Sequence, residues 1–253
     1  LIYYNRRNLI HFETLPFDAV TLTDLFKNDS STPQERAKKI EDFIGEQLEK
    51  IPWLDGIEPD TAFVGVGGSF RNLGRISRLI TKYPFNMTHN YELPVSEFEN
   101  IYNTIKKLDL NSTMKIKGLS SGRADIFPSA LAVMKAVLSR FDFQKITISG
   151  CGLREGAMFR YAVPGVNERP LSDVLAHSIY TQMKYHDLNI AHAEHVYNLS
   201  IQLFKQLKVL HKMPRVYVRV LKIAALLHDS GMRIKFYNHQ LHSAYIILNS
   251  NLY

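Results

Sequence analysis

A chain of 253 residues, 45% hydrophobic and 22% charged, is long enough for one large domain or two ordinary ones with real cores. Its lone cysteine, Cys151, excludes an intrachain disulfide and suits a reducing, cytoplasmic setting. No apolar run approaches the ~20 residues of a membrane span, and no secretory leader is visible. The net charge of +7 is uneven: residues 171–253 hold 9 basic and 4 acidic side chains, against 22 and 20 in residues 1–170. A basic excess of this kind attracts polyanions.

Leu1-Ile-Tyr-Tyr4 reads as a chain already inside a strand, without an initiator methionine, so a longer natural protein is expected. With Leu9–Leu15 it forms a hairpin across Asn5-Arg6-Arg7-Asn8. Thr21–Phe26 suits a short helix. The polar cluster Asn28–Thr32 followed by Pro33 marks a helix start, and Gln34–Lys50 is amphipathic, with Ile40, Phe43, Ile44 and Leu48 inward. Trp53–Pro59 reads as a loop and Thr61–Val66 as a strand. A basic helix follows, then an extended link over Asn90–Pro94. Next comes a helix near Val95–Lys107, where Ser96 and Glu99 have capping-box spacing.

The polar loop Gly118–Ile126 enters a helix running through Ser139, and Gln144–Ser149 alternates as a strand. Pro164–Pro170 has the composition of a linker. From Leu171 onward only helical patterns occur, including Ala191–Leu207 and Tyr217–Leu227. The expected architecture is an α/β domain over residues 1–165 and an all-α domain over 171–253.

Two strand–glycine–helix junctions carry the chemistry. In Phe63-Val-Gly65-Val-Gly67-Gly68-Ser69-Phe70-Arg71-Asn72, glycine permits positive φ and close backbone approach. The helix beyond offers unpaired amides and a positive dipole end to an anion, and Ser69 can act as N-cap and hydroxyl donor. Arg71, Arg75, Arg78 and Lys82 recur at helical spacing, either as a docking face for a phosphate-rich ligand or as a solvated stripe. Gly150-Cys-Gly-Leu-Arg154-Glu155-Gly156 repeats the junction. Arg123 and Asp125, in the loop between, either pair with each other or shape a cleft.

These segments, together with Leu226-Leu-His228-Asp229 and His242-Ser-Ala-Tyr245, resemble in their order the exopolyphosphatase / guanosine pentaphosphate phosphohydrolase (Ppx/GppA) family. The resemblance implies the second actin-like (ribonuclease H-like) ATPase domain followed by an all-α HD-like domain. It places Gly65, Gly67, Gly68, Ser69, Arg71 and Asn72 along a phosphate or nucleotide cleft, for which Arg75 from the basic stripe, Arg123 and Arg154 are further candidates. The family's catalytic glutamate is expected in an upstream domain, so no catalytic residue is expected here and this chain alone should be inactive. Mg²⁺ as cofactor and a homodimer of the intact protein are implied as well. Ser69 stands where the family more usually has threonine.

In the helical segment, His195, His228 and Asp229 resemble the metal-binding signature of HD-type phosphohydrolases, since imidazoles and a carboxylate can hold a divalent metal. The alternative is core histidines satisfied by hydrogen bonds; His192, His239 and His242 lie nearby in sequence. Lys205, Lys208, Lys212, Arg215, Arg219 and Lys222 form either a solvated basic face or a surface that retains a polyphosphate chain, and thin aromatic interleaving argues against nucleic acid. The leading expectation is a phosphoanhydride hydrolase that releases terminal phosphate from inorganic polyphosphate or guanosine pentaphosphate. Its rivals are a non-catalytic polyanion- or nucleotide-binding regulator on the same fold and an HD-type metal phosphohydrolase.

Overall fold

The computed structural model describes residues 1–5, 8–27, 31–83, 87–162 and 173–250. The linker read at Pro164–Pro170, the Arg6–Arg7 turn and residues 28–30 of the polar cluster lie outside them. The chain divides into two compact units, one of Leu1–Pro84 with Thr88–Pro170, the other chiefly Leu171–Tyr253.

The first unit opens with the hairpin β1 (Ile2–Tyr4) and β2 (Leu9–Phe12), largely solvent-exposed and stacked through Tyr3 and His11 on Trp53. Helix α1 (Ala19–Leu25) is capped by Asp18, whose carboxylate accepts from the amides of Val20 and Thr21. Helix α2 (Pro33–Glu49) starts as the proline predicts, with Thr32 and Glu35 closing a capping box. It buries Ala37, Ile40, Ile44 and Leu48; Phe43, expected inward, is half-buried against Phe17 and Phe26. The Trp53 loop is a short 3₁₀ turn over Pro52–Gly56.

Strand β3 (Phe63–Val66) leads into α3 (Gly68–Ile80). The expected extended link is a true strand, β4 (Tyr91–Pro94), followed by α4 (Val95–Ile105) and the single turn α5 (Leu110–Thr113). No capping box forms at α4, because Pro94 is its N-cap and Glu99 instead meets Lys135 at 2.7 Å. Helix α6 (Phe127–Arg140), strand β5 (Lys145–Ser149) and helix α7 (Leu153–Ala162) complete the unit.

Strand order is β3-β5-β4, with β3 parallel and β4 antiparallel to β5. Pro94, which cannot donate to a ladder, ends the β4 edge. Ile146, Ile148, Tyr91 and Leu93 alternate inward and join α2, α4 and α6 in one apolar core. Each fully buried Leu or Ile contributes about 1.5–3 kcal/mol.

The second unit is all helical among its described residues: α8 (Val174–Tyr185), α9 (Ile190–Gln206), the single turn α10 (Lys208–His211), α11 (Tyr217–Leu227) and α12 (His239–Asn249). A 3₁₀ turn, Ser230–Arg233, joins the last two. Ile179, Met183, Ala193, Leu226 and Leu227 form its core. No described helix is long and apolar enough to cross a membrane.

Candidate functional site

Because β3 and β5 run parallel and Val66 lies opposite Ser149, both glycine junctions emerge at the same carboxyl end of the sheet's strands. Gly67 is the N-cap of α3 with φ of 115°, a left-handed-side conformation that a side chain would strain. The helix leaves the amides of Gly68, Ser69 and Phe70 without an intrahelical acceptor. Ser69 is therefore the second helical residue, and the expected serine cap does not form.

The arginines organise around these turns. Arg71 Nη1 donates to the Gly150 carbonyl at 3.4 Å, so one guanidinium joins the two junctions. Arg123 lies over the first turn: a Cβ on Gly68 would sit 2.5 Å from its Cζ. Asn72 is buried and donates to Ser120 Oγ at 3.2 Å, fixing the loop that delivers Arg123. Asn72 is thus a positioning residue, not a ligand-facing one. No ion pair joins Arg123 to Asp125 among the described residues.

The second turn is held by its own neighbours. Ser149 Oγ accepts from the Cys151 amide and donates to the Cys151 carbonyl. The Gly152 amide donates to Glu155 at 2.7 Å; hydrogen bonding from the backbone amide of Glu155 itself, and then from that of Gly152, holds the Glu155 carboxyl below its ordinary range, with Arg154 and Arg71 adding to the effect. Arg154 is exposed on the first turn of α7. His89, which no sequence pattern marks, accepts from the Gly150 amide through Nδ1 at 3.1 Å, and burial lowers its pKa.

Two expectations need correction. Gly65 does not face a ligand: a Cβ there would lie 2.1 Å from the Phe70 ring, so its glycine serves core packing. The basic stripe is not one face either. Arg75 is exposed, but Arg78 is 8% exposed, donating to Thr88 Oγ1 at 2.9 Å and to the Gly74 carbonyl, and its pKa is lowered by burial and then by Arg75. Lys82 lies beyond the helix end with φ of 53°.

In the helical unit His228 and Asp229 come together as expected, but the third partner is His192, not His195. His195, three residues further along α9, is exposed and outside the group. The segment's basic residues are mostly exposed, and Lys222 lies 3.9 Å from Asp173.

Paired glycine junctions at the carboxyl ends of two parallel strands define an α/β protein of the kind that receives anions at its strand ends. The sequence profile described as the Ppx/GppA phosphatase family matches residues 1–163, and that of Ppx/GppA phosphatase, domain III, matches residues 174–253. The chain belongs to the Ppx/GppA phosphatase family. It is 31% identical over 140 residues to a guanosine-5'-triphosphate,3'-diphosphate pyrophosphatase of Aeromonas salmonicida and 32% identical over 141 to that of Aeromonas hydrophila, 55% of this chain in each case. The chain spans about a quarter of the length of these relatives, 27% in both. Among solved structures, an exopolyphosphatase from Cytophaga hutchinsonii superposes with a TM-score of 0.56 at 19% identity, over 63% of this chain and 52% of its own. A Ppx/GppA family member from Aquifex aeolicus gives 0.52 at 22%, over 61% and 49%. Both likenesses concern the fold.

Proposed function

We propose that this chain supplies one wall of a phosphate-binding cleft in a phosphoanhydride hydrolase acting on inorganic polyphosphate or guanosine pentaphosphate, the reacting water being directed from another part of the protein. The observation that carries the reading is the pair of glycine turns side by side, with Arg71 linking them and Arg123 lying on Gly68. Helix-start amides hold phosphoryl oxygens already in the ground state. The two guanidiniums gain strength as charge builds on the equatorial oxygens during transfer.

In this reading residues 1–165 are the second actin-like domain and 171–253 an HD-like domain of a cytoplasmic protein, homodimeric when intact. Mg²⁺ would offset phosphate charge in the assembled cleft. The residues of this chain do not fit it: the junctions present amides and guanidiniums, and the neighbouring Glu155 is already engaged by the Gly152 amide.

The test is fluorescence anisotropy of labelled polyphosphate with the 253-residue chain. Affinity should fall steeply with salt, and Arg71→Ala with Arg123→Ala should weaken it by about 100-fold or more with the circular dichroism spectrum retained. Phosphate release by the chain alone should be absent. Salt-insensitive binding, or binding unchanged in the double variant, refutes the cleft; robust turnover refutes the division of labour.

A further inference from the structure

The helical unit carries a cavity that the phosphate cleft does not use. It opens where the start of α8, the middle of α9 and the start of α11 meet, and it has a volume of about 430 Å³. Its apolar lining includes Leu175, Tyr197 and Val218, all half-buried, and the first two also pack against the core of the unit. Cavities of roughly 300–1,000 Å³ with an apolar lining and a few convergent polar groups are the usual seats of small molecules.

The polar groups around it are mostly cations. The Val218 amide donates to the Arg215 carbonyl, so the helical turn already includes Arg215. Arg215, Arg219 and Lys222 therefore stand at i, i+4 and i+7 on one helix face, and all of them line the cavity. The stripe on α3 makes no such face, because Arg78 is buried there. Asp173, the acidic residue of the lining, is largely engaged: one carboxylate oxygen caps α8 by accepting from the Ala176 amide at 2.9 Å, and the other stays 3.9 Å from Lys222. Arg215 and Arg219 are exposed and have no carboxylate partner among the described residues. Two guanidiniums left in this way beside a concave apolar wall offer forked donors to phosphoryl oxygens.

The lining selects the class of ligand. A bare phosphate chain would leave Leu175, Tyr197 and Val218 in water, whereas an aromatic base laid on them removes apolar surface on both sides. The cations run for ~10 Å along the helix axis, at 1.5 Å per residue. Such a row suits linked phosphates better than a single one. Tyr197 gives one platform for a base, not the succession of rings that a nucleic-acid strand requires. His228 and Asp229 lie at the opposite end of α11, so the cavity is separate from the histidine–aspartate group.

We propose that this cavity binds a nucleoside di- or triphosphate, its base on Tyr197, Leu175 and Val218 and its phosphates on Arg215, Arg219 and Lys222. The site does not depend on the phosphate cleft of the first unit. To keep the two apart, calorimetric titrations use the 253-residue chain carrying Arg71→Ala and Arg123→Ala. GTP and ATP should each still bind, one per chain. Adding Arg215→Ala with Arg219→Ala should weaken that binding by about 100-fold or more, because two charge-assisted contacts are lost. Lys208→Ala with Lys212→Ala removes the same charge outside the cavity and should bind like its parent. Tripolyphosphate, with no base to cover the apolar lining, should bind at least ~10-fold more weakly than GTP. Circular dichroism confirms the fold of each variant. Absence of nucleotide binding, an equal loss in the lysine pair, or tripolyphosphate binding as tight as that of GTP overturns the assignment; the last two outcomes leave only a basic surface without a base pocket.

Discussion

Replacing Gly68 by alanine separates the two ways in which the first junction uses glycine. Gly68 is the first residue of α3 with an ordinary backbone, but an added Cβ would meet Arg123 at 2.5, 2.7 and 2.9 Å from Cζ, Nη2 and Nη1. Those atoms are the far end of a flexible, exposed arm, so the arm moves and the helix does not. Alanine also gains up to ~1 kcal/mol of helix propensity, and net stability should stay within ~1 kcal/mol, or roughly 2–4 °C in Tm. Binding should suffer more. An arginine moved off the turn forfeits a charge-assisted hydrogen bond of about 1.5–3 kcal/mol, a loss of roughly 10- to 150-fold in polyphosphate affinity. Gly67→Ala should behave inversely. Nothing lies within 4 Å of its added Cβ, but φ of 115° imposes about 1–3 kcal/mol of strain, seen in urea melts more than in affinity. In an Arg123→Ala background, Gly68→Ala should cost no further affinity. Parent-like binding by Gly68→Ala, or an undiminished loss in that background, would show that Arg123 does not serve the turn.

Two further outcomes test the frame around the site. Ile44→Ala, at 0% exposure on α2, should cost about 2–5 kcal/mol in chemical denaturation, and a loss below ~1 kcal/mol would mean that the α2 face is not core. The His89 pKa is lowered by burial, so the unfolded chain takes up its proton first. Its contribution to stability should be complete above the ordinary value of 6.5 and be lost as pH falls through the lowered folded value. Protonation also ends the bond from the Gly150 amide. Denaturation at pH 8 and pH 5 should show a smaller drop for His89→Ala than for the parent; equal drops would remove His89 from the linkage.

Local signals in the sequence located most elements, because their causes are local. Thr32, Pro33 and Glu35 specify a helix start within four residues, and the apolar run Tyr217–Leu227 is the helix it suggests. Strand β4 was legible only as an extended link, because four residues ending in proline show little alternation and its pairing partner is some 50 residues away. Periodicity placed Arg71, Arg75 and Arg78 at helical spacing, but it could not say which of them another segment would cover. Thr88 decides that for Arg78. The sequence pattern on α9 points to His195, but the packing of α11 against α9 brings His192 to His228 and Asp229. His89 was invisible for the same kind of reason, since its partner is a backbone amide far along the chain.

The parallel pairing of Phe63–Val66 with Ile146–Ser149 has a kinetic consequence. Either turn can bend early, since each is a matter of a few residues, but their adjacency requires closing a loop of roughly 80 residues, among the slower kinds of contact to form. A nascent chain that has made only the first turn holds half a seat. Anion affinity during refolding should therefore rise with arrival of β5 rather than with early helix formation, making the ligand itself a clock for that late step.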